Sequence, residues 1–495
     1  MKQYRFAVIF CAAALFSTVS GWPEEPRAEE QALVRALDRI SVERMLADVT
    51  WLSSDAFNGR QAGTADDERA GEYFSRQMTE LAARIPITPQ AMPDSPPITV
   101  TEIAPEPNVA FLFPGQSDDR AVSGIGKDYL PILDSPSVRI EAPIAFVGYG
   151  IVDNERGFDE YAGIDVKDHV VLFLRGKPEN YSGQMSHSDK VRMAHEKGAV
   201  AYLTATGPIL NAYEVRRGLG GKPSAYYGQA TVDLGGAWIT TDLAERIVAA
   251  GGEPLSTRQQ RLNHLSPQSH VTSVVARLEW TSKQSPATLR NVAYLLTGSD
   301  TERPEDTVVI GAHRDHFGRQ AGILFAGADD NASGTAVILE VARAIADAGI
   351  TPKRSILFVS FTGEEQGLIG STSYVRHPVR LLDNTKAMIN VDHAGIGNGR
   401  LTVGVTGLDK SIARDAGRPA GVMDELDLFG FFPGGDHVPF KEAGVPTFTI
   451  VSGGTHRHFH QPTDRADTVS AEILAKAARY ALALTLQLAN AHSDP

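Results

Sequence analysis

A chain of 495 residues is longer than one hydrophobic core ordinarily supports, so two domains, or one domain with a large insertion, is the starting expectation. Its 60 acidic residues against 47 basic ones give a net charge of −13, a field that repels phosphate backbones and anionic lipid and excludes nucleic acid and membrane surfaces as partners. The one cysteine, Cys11, lies in the first apolar stretch, so no disulfide staples the rest.

In chain order, Lys2 and Arg5 precede an apolar run from Phe6 to Phe16 and small residues from Ser17 to Gly21. This is the plan of an export signal over residues 1–21, too short to span a bilayer. Phe10 is not the small residue expected before a lipidated cysteine, so a soluble exported protein, periplasmic or extracellular, is predicted, with no membrane insertion once the signal is removed. Between Glu43 and Leu81 the apolar spacing is helical, as in Met45, Val49 and Leu52, and the Gly-bearing loop from Asn58 to Thr64 divides it into two helices. From Ile85 to Pro114 eight prolines crowd in, which neither a helix nor a central strand tolerates, so a boundary falls there. The section that follows carries short apolar runs (Ile144 to Val147, Val170 to Leu174, Val200 to Thr204) and predicts a mainly β unit with helices such as Ser188 to Lys197 and Asp242 to Ala250. After Asn291 the pattern becomes strand, loop, helix, repeated: Ser333 to Ala348 is helical, and Ser371 and Ser470 stand near further helix starts. Such alternation predicts an α/β class with a mostly parallel mixed sheet flanked by helices.

Four apolar runs in this last section end at metal-type side chains. Val308 to Ala312 leads into His313, Ile356 to Phe361 into Glu364 and Glu365, Ala387 to Val391 into Asp392, and Thr447 to Val451 lies upstream of His460. Ligands of open parallel sheets bind at the carboxyl ends of strands. With Asp330 these positions supply two imidazoles and three carboxylates, a nitrogen and oxygen set that suits zinc and, less well, manganese or cobalt. Asp315, two residues after His313, is the candidate to orient that ring. In Gly327-Ala328-Asp329-Asp330-Asn331-Ala332-Ser333-Gly334 one aspartate is expected to cap the following helix, leaving the other for metal. Adjacent Glu364 and Glu365 repel each other and are costly to desolvate without a cation, so one is assigned to metal and the other to protons.

In this order the segments Gly-Ala-His-Arg-Asp-His, Gly-Ala-Asp-Asp-Asn-Ala-Ser-Gly, Gly-Glu-Glu-Gln-Gly, Ile-Asn-Val-Asp and Phe-His-Gln-Pro-Thr-Asp resemble the co-catalytic di-zinc aminopeptidases, the family of bacterial leucyl aminopeptidase, aminopeptidase Y and the glutamate carboxypeptidase branch. Gly148-Tyr149-Gly150, Tyr161-Ala162-Gly163-Ile164-Asp165 and Glu196-Lys197-Gly198-Ala199 are similar to the protease-associated domain inserted in many members. The resemblance implies a zinc-exopeptidase fold with the signal at 1–21, a first part of the peptidase domain at 22–105, the mainly β insertion at 106–285 and the catalytic part at 286–495. It implies two zinc ions bridged by Asp330, with His313 and Asp392 on one and Glu365 and His460 on the other. Glu364 becomes the general base, peptides the substrates, and Asp330–Asn331 a cis peptide. Alternatives of the same fold are a carboxypeptidase or dipeptidase, for which Arg314 and Arg457 are the candidate basic residues, and a non-catalytic binding relative. The chain departs from the family pattern at Phe459, where many members carry a tyrosine whose hydroxyl stabilises the tetrahedral intermediate, so another donor is required. His316, His393, His437, His456 and His458 are read as pocket or surface residues rather than ligands.

Overall fold

The computed structural model describes residues 28–114, 124–229, 231–250 and 252–491; the signal segment expected at 1–21 and Cys11 lie outside them. The α/β architecture is the expected one. An eight-stranded mixed sheet runs Ile87–Gln90, Val292–Leu296, Ser355–Phe361, Thr307–His313, Thr385–Val391, Thr447–Ser452, Leu401–Thr406, Leu426–Phe429. Its four central strands, Ser355–Phe361 through Thr447–Ser452, are mutually parallel. Every residue of Thr307–His313 and Ser355–Phe361 is buried, the mark of parallel strands covered on both faces. These four strands are also the runs that precede His313, Glu364, Asp392 and His460, so the ligand candidates leave the sheet at one end.

Helix Gly334–Ala348 packs on one face of the sheet beside Ala65–Leu81 and Ala471–Asn490, which also contact the strands, and against Val42–Leu52. Ser470 caps the last of these by accepting from Ile473 N. On the other face Ile369–Arg376 and His437–Glu442 bring Tyr374 and Phe440 into stacking contact over Phe361. Ser371 stands near a helix start as expected, just inside Ile369–Arg376, which the chain enters through Leu368 in the left-handed region.

A second, seven-stranded sheet is built from residues between 108 and 280, in the order Asn108–Leu112, His270–Trp280, Val138–Phe146, Val170–Leu174, Ala201–Ala205, Gly236–Ile239, Tyr129–Pro131. Helices His187–Glu196 and Thr241–Ala249 flank it. The ribbon Ile98–Ile103 with Ser282–Ala287 leads into and out of this unit. The proline-rich segment does form strands, but only at margins. Ile87–Gln90, which contains Pro89, and Asn108–Leu112 are edge strands of their sheets, where a missing N–H is tolerated. No helix among the described residues is long and apolar enough to cross a membrane.

Arg60 ties the N-terminal segment to the sheet. Its fully buried guanidinium donates to the carbonyls of Leu52 (2.6 Å), Arg314 (2.7 Å), Ala326 (2.8 Å) and Gly327 (2.8 Å). Burial draws its pKa down to about 10, offset by the charges of Asp464, Asp315, Asp330 and Asp67. Arg60→Met leaves these carbonyls without their donor, each a buried polar group costing about 1–3 kcal/mol. The expected loss of stability is about 3 kcal/mol or more, read by urea unfolding.

Candidate metal centre

The loop before helix Gly334–Ala348 is shaped by its neighbours rather than by a cap. Asp464 accepts from Asp329 N (2.8 Å) and Asp330 N (3.0 Å), and Asn331 accepts from Gly334 N (2.8 Å) while donating to Val391 O (2.9 Å). Neither aspartate caps the helix, contrary to the expectation from sequence, because Asp464 and Asn331 already meet the loop's N–H groups. The Asp330–Asn331 peptide is cis. Gly327 has φ +60, and a Cβ there would collide with Asp330 O and the His316 ring. Asp330 lies between the strand ends, within 3.3 Å of His313 Nε2 and 3.2 Å of His460 Nε2.

The structure brings the five ligand candidates together. Nε2 of His313 is 3.3 Å from Asp330 Oδ1 and 3.3 Å from Asp392 Oδ1; Nε2 of His460 is 3.2 Å from Asp330 Oδ2 and 3.4 Å from Glu365 Oε2. Donor atoms around a tetrahedral ion at about 2.0 Å lie about 3.3 Å apart, so these spacings fit zinc. Asp330 faces both histidines, one with each oxygen, and its Oδ2 is buried without a hydrogen-bond partner. Three carboxylates buried this closely are costly unless a cation offsets them, so the residues present fit a divalent metal.

Each ring is aimed from behind. Nδ1 of His460 donates to Ala225 O (3.0 Å), a residue of the second-sheet unit, and leaves Nε2 free to ligate. Nδ1 of His313 lies 3.2 Å from the carbonyl of Asp315 and 3.7 Å from its carboxylate. The Asp315 carboxylate instead accepts from Glu364 N (3.3 Å) and Glu365 N (3.4 Å), so it holds the paired glutamates as well as the ring. Burial, then the charges of Asp392 and Asp436, push the Glu364 carboxyl up to about 8. Burial, then Asp330 and Glu364, raise Glu365 well above the usual range. Burial would raise Asp330 too, but the imidazoles of His393, His313 and His460 outweigh it and hold Asp330 low.

His316, set aside on sequence, is fully buried with Nδ1 2.7 Å from Glu365 Oε1. It orients that carboxylate so that Oε2 is the oxygen facing His460. His393 and His456 gather on Asp329 at 3.4 Å and 2.8 Å, forming a further group of metal-type residues. This group reads as a hydrogen-bond network: Nε2 of His456 donates to Ser452 O (3.0 Å) and Asp329 Oδ1 accepts from Gly395 N (2.7 Å). His437 donates from Nε2 to Phe432 O (2.8 Å), and His458 pairs with Thr463. Arg314 is buried against Asp67 (2.8 Å) and the carbonyls of Ser360 and Arg290, while Arg457 is exposed. Sequence reasoning passed over Asp464, Arg60 and Ala225. Asp464 stood inside a quoted motif and Arg60 inside the loop from Asn58 to Thr64, but the need for a buried acceptor or donor there appears only when the loops meet; Ala225 carried no signal, because it acts through its carbonyl.

These features place the C-terminal half in the class of α/β proteins with a cluster of metal-type side chains at the carboxyl ends of parallel strands. Residues 291–485, the segment carrying all five ligand candidates and Glu364, match the model of Peptidase family M28. Over 202 residues the chain is 30% identical to Aminopeptidase YwaD of Bacillus subtilis (strain 168), covering 38% of this chain and 42% of that one. Over 284 residues it is 28% identical to a probable zinc metalloprotease of Pyrenophora teres f. teres (strain 0-1), covering 46% and 56%. The chain thus spans about half the length of these curated relatives. Its fold is similar to that of the aminopeptidase from Aneurinibacillus sp. strain AM-1, with a TM-score of 0.67 over 94% of this chain and 97% of that one at 21% identity.

Proposed function

We propose that the chain is an exported zinc-dependent exopeptidase, an aminopeptidase that removes N-terminal residues from peptides with the help of two metal ions. The observation that carries this reading is Glu364, a partly buried carboxylate with a raised pKa beside a five-donor cluster and not itself needed as a ligand. His313, Asp392 and one oxygen of Asp330 would hold one ion; the other oxygen of Asp330, Glu365 and His460 would hold the second. Bound divalent cations acidify water and polarise the scissile carbonyl. Glu364 takes the proton of the attacking water and hands it to the departing amine, and Asp315 keeps Glu364 in place through the backbone N–H that it accepts. Residues 106–285 are proposed as an inserted protease-associated domain that closes one side of the site. The burial of Arg314 disfavours a pocket built to grip a free carboxylate.

The test is hydrolysis of aminoacyl anilides and their N-blocked analogues, with and without a chelator. Chelator-sensitive cleavage of the free-amine substrates alone supports the reading; equal rates on blocked substrates contradict it.

The raised carboxyls give a pH prediction. In the metal-free protein burial pushes the Glu364 carboxyl up to about 8 and raises Glu365 well above the usual carboxylate range, so protons are held there that cation binding expels. Zinc affinity should therefore rise with pH through this range, and calorimetry in buffers of different ionisation heat should show proton release. Binding without proton release would contradict the assignment of this carboxylate pair.

A further inference from the structure

The second-sheet unit contributes a charged side chain to the metal centre. Arg217 follows the short helix Ala212–Arg216 and its guanidinium carbon lies 4.4 Å from the centre of the Phe459 ring, which is itself stacked on His460 at 3.6 Å. Nη1 of Arg217 is 3.0 Å from Nε2 of His393, and that nitrogen is 3.7 Å from Asp330 Oδ2 and 3.8 Å from Asp392 Oδ1. Nε of Arg217 is buried with no hydrogen-bond partner. The cation therefore stands at the rim of the site with a donor to spare, over the ring of the residue that lacks a hydroxyl.

The backbone fixes this placement. His456 N donates to Arg216 O (3.1 Å), Ala225 N donates to His460 O (3.0 Å), and Gln461 donates to Pro223 O (2.9 Å). The loop carrying Phe459 and His460 is thus laced to residues 216–225, and Arg217 moves with it. A planar guanidinium stacked on an aromatic ring loses little freedom when it donates, which suits a preorganised site.

We propose that Arg217 is a catalytic residue, the donor that binds the scissile carbonyl oxygen as it becomes tetrahedral. When the water oxygen bonds to the carbonyl carbon, the π pair of the C=O bond moves onto that oxygen, which becomes anionic; Glu364 receives the water's proton, and Arg217 donates to the new oxyanion. This rests on the exopeptidase reading. A wild-type protein that cleaves no aminoacyl anilide sinks that reading, whereas an active wild type with an indifferent Arg217 variant sinks this inference alone.

The experiment measures kcat and KM of Arg217→Met and Arg217→Lys on aminoacyl anilides with uncharged side chains, with zinc content and thermal midpoint measured on each variant. Removal of one oxyanion donor costs roughly 10²-fold or more in turnover. Both variants are expected to show such a loss in kcat, with KM near the wild-type value and zinc content unchanged; lysine keeps the charge but not the stacked fork. Turnover within threefold of wild type, a loss confined to KM, or a loss that follows missing zinc would each overturn the proposal.

Discussion

Glu364→Gln is expected to retain both metal ions and the fold while losing turnover by roughly 10²–10⁴-fold, the usual contribution of a positioned general base. The amide is nearly isosteric with the carboxylate, so the bonds from Glu364 N and Glu365 N to Asp315 persist. What disappears is the only function assigned to this side chain, accepting and returning a proton. Single-turnover kinetics with metal analysis checks it, and activity within tenfold of wild type would remove Glu364 from that role.

Asp330→Asn is expected to do more, because Asp330 alone faces both histidines, His313 through one oxygen and His460 through the other. The amide replaces one of those oxygens by a donor that points at a cation. Zinc stoichiometry should fall by at least half and turnover should drop at least as far as in Glu364→Gln. The two variants separate cleanly by thermal unfolding: added zinc should still raise the midpoint of Glu364→Gln, since a ligand that binds only the folded state stabilises it, but should raise that of Asp330→Asn far less. Equal zinc-dependent shifts would show that Asp330 is not the shared ligand.

The strands and the convergence of the ligand candidates were legible because both rest on short-range rules. Runs such as Val308 to Ala312 have no alternation of polar residues, which marks strands covered on both faces, and a charged residue at the end of such a run has few places to go but a shared crevice. Helix starts were legible near both serines, but only Ser470 makes a side-chain cap; at Ser371 the chain enters the helix through a left-handed Leu368. The prolines of Ile85 to Pro114 marked the transition between the two sheets, but the strands among them were hidden because an edge position is a tertiary property.

The support of the site was the least legible part. Asp329 and Asp330 suggested a helix cap, yet the loop's N–H groups are met by Asp464, more than a hundred residues away. His316 and His393 could not be told from surface histidines by spacing, and only the fold sets them against Glu365 and Asp329. The contribution of the second-sheet unit, Ala225 behind His460 and Arg217 over Phe459, depends on contact between segments whose sequences carry no mutual signal.

The whole account depends on two divalent cations being gathered by side chains that leave four neighbouring strands at the same end. Anomalous diffraction at the zinc edge from crystals of the loaded protein tests it directly. Two peaks are predicted, one among His313, Asp330 and Asp392 and one among Asp330, Glu365 and His460. A single peak elsewhere, for example at Asp329, His393 and His456, would contradict it.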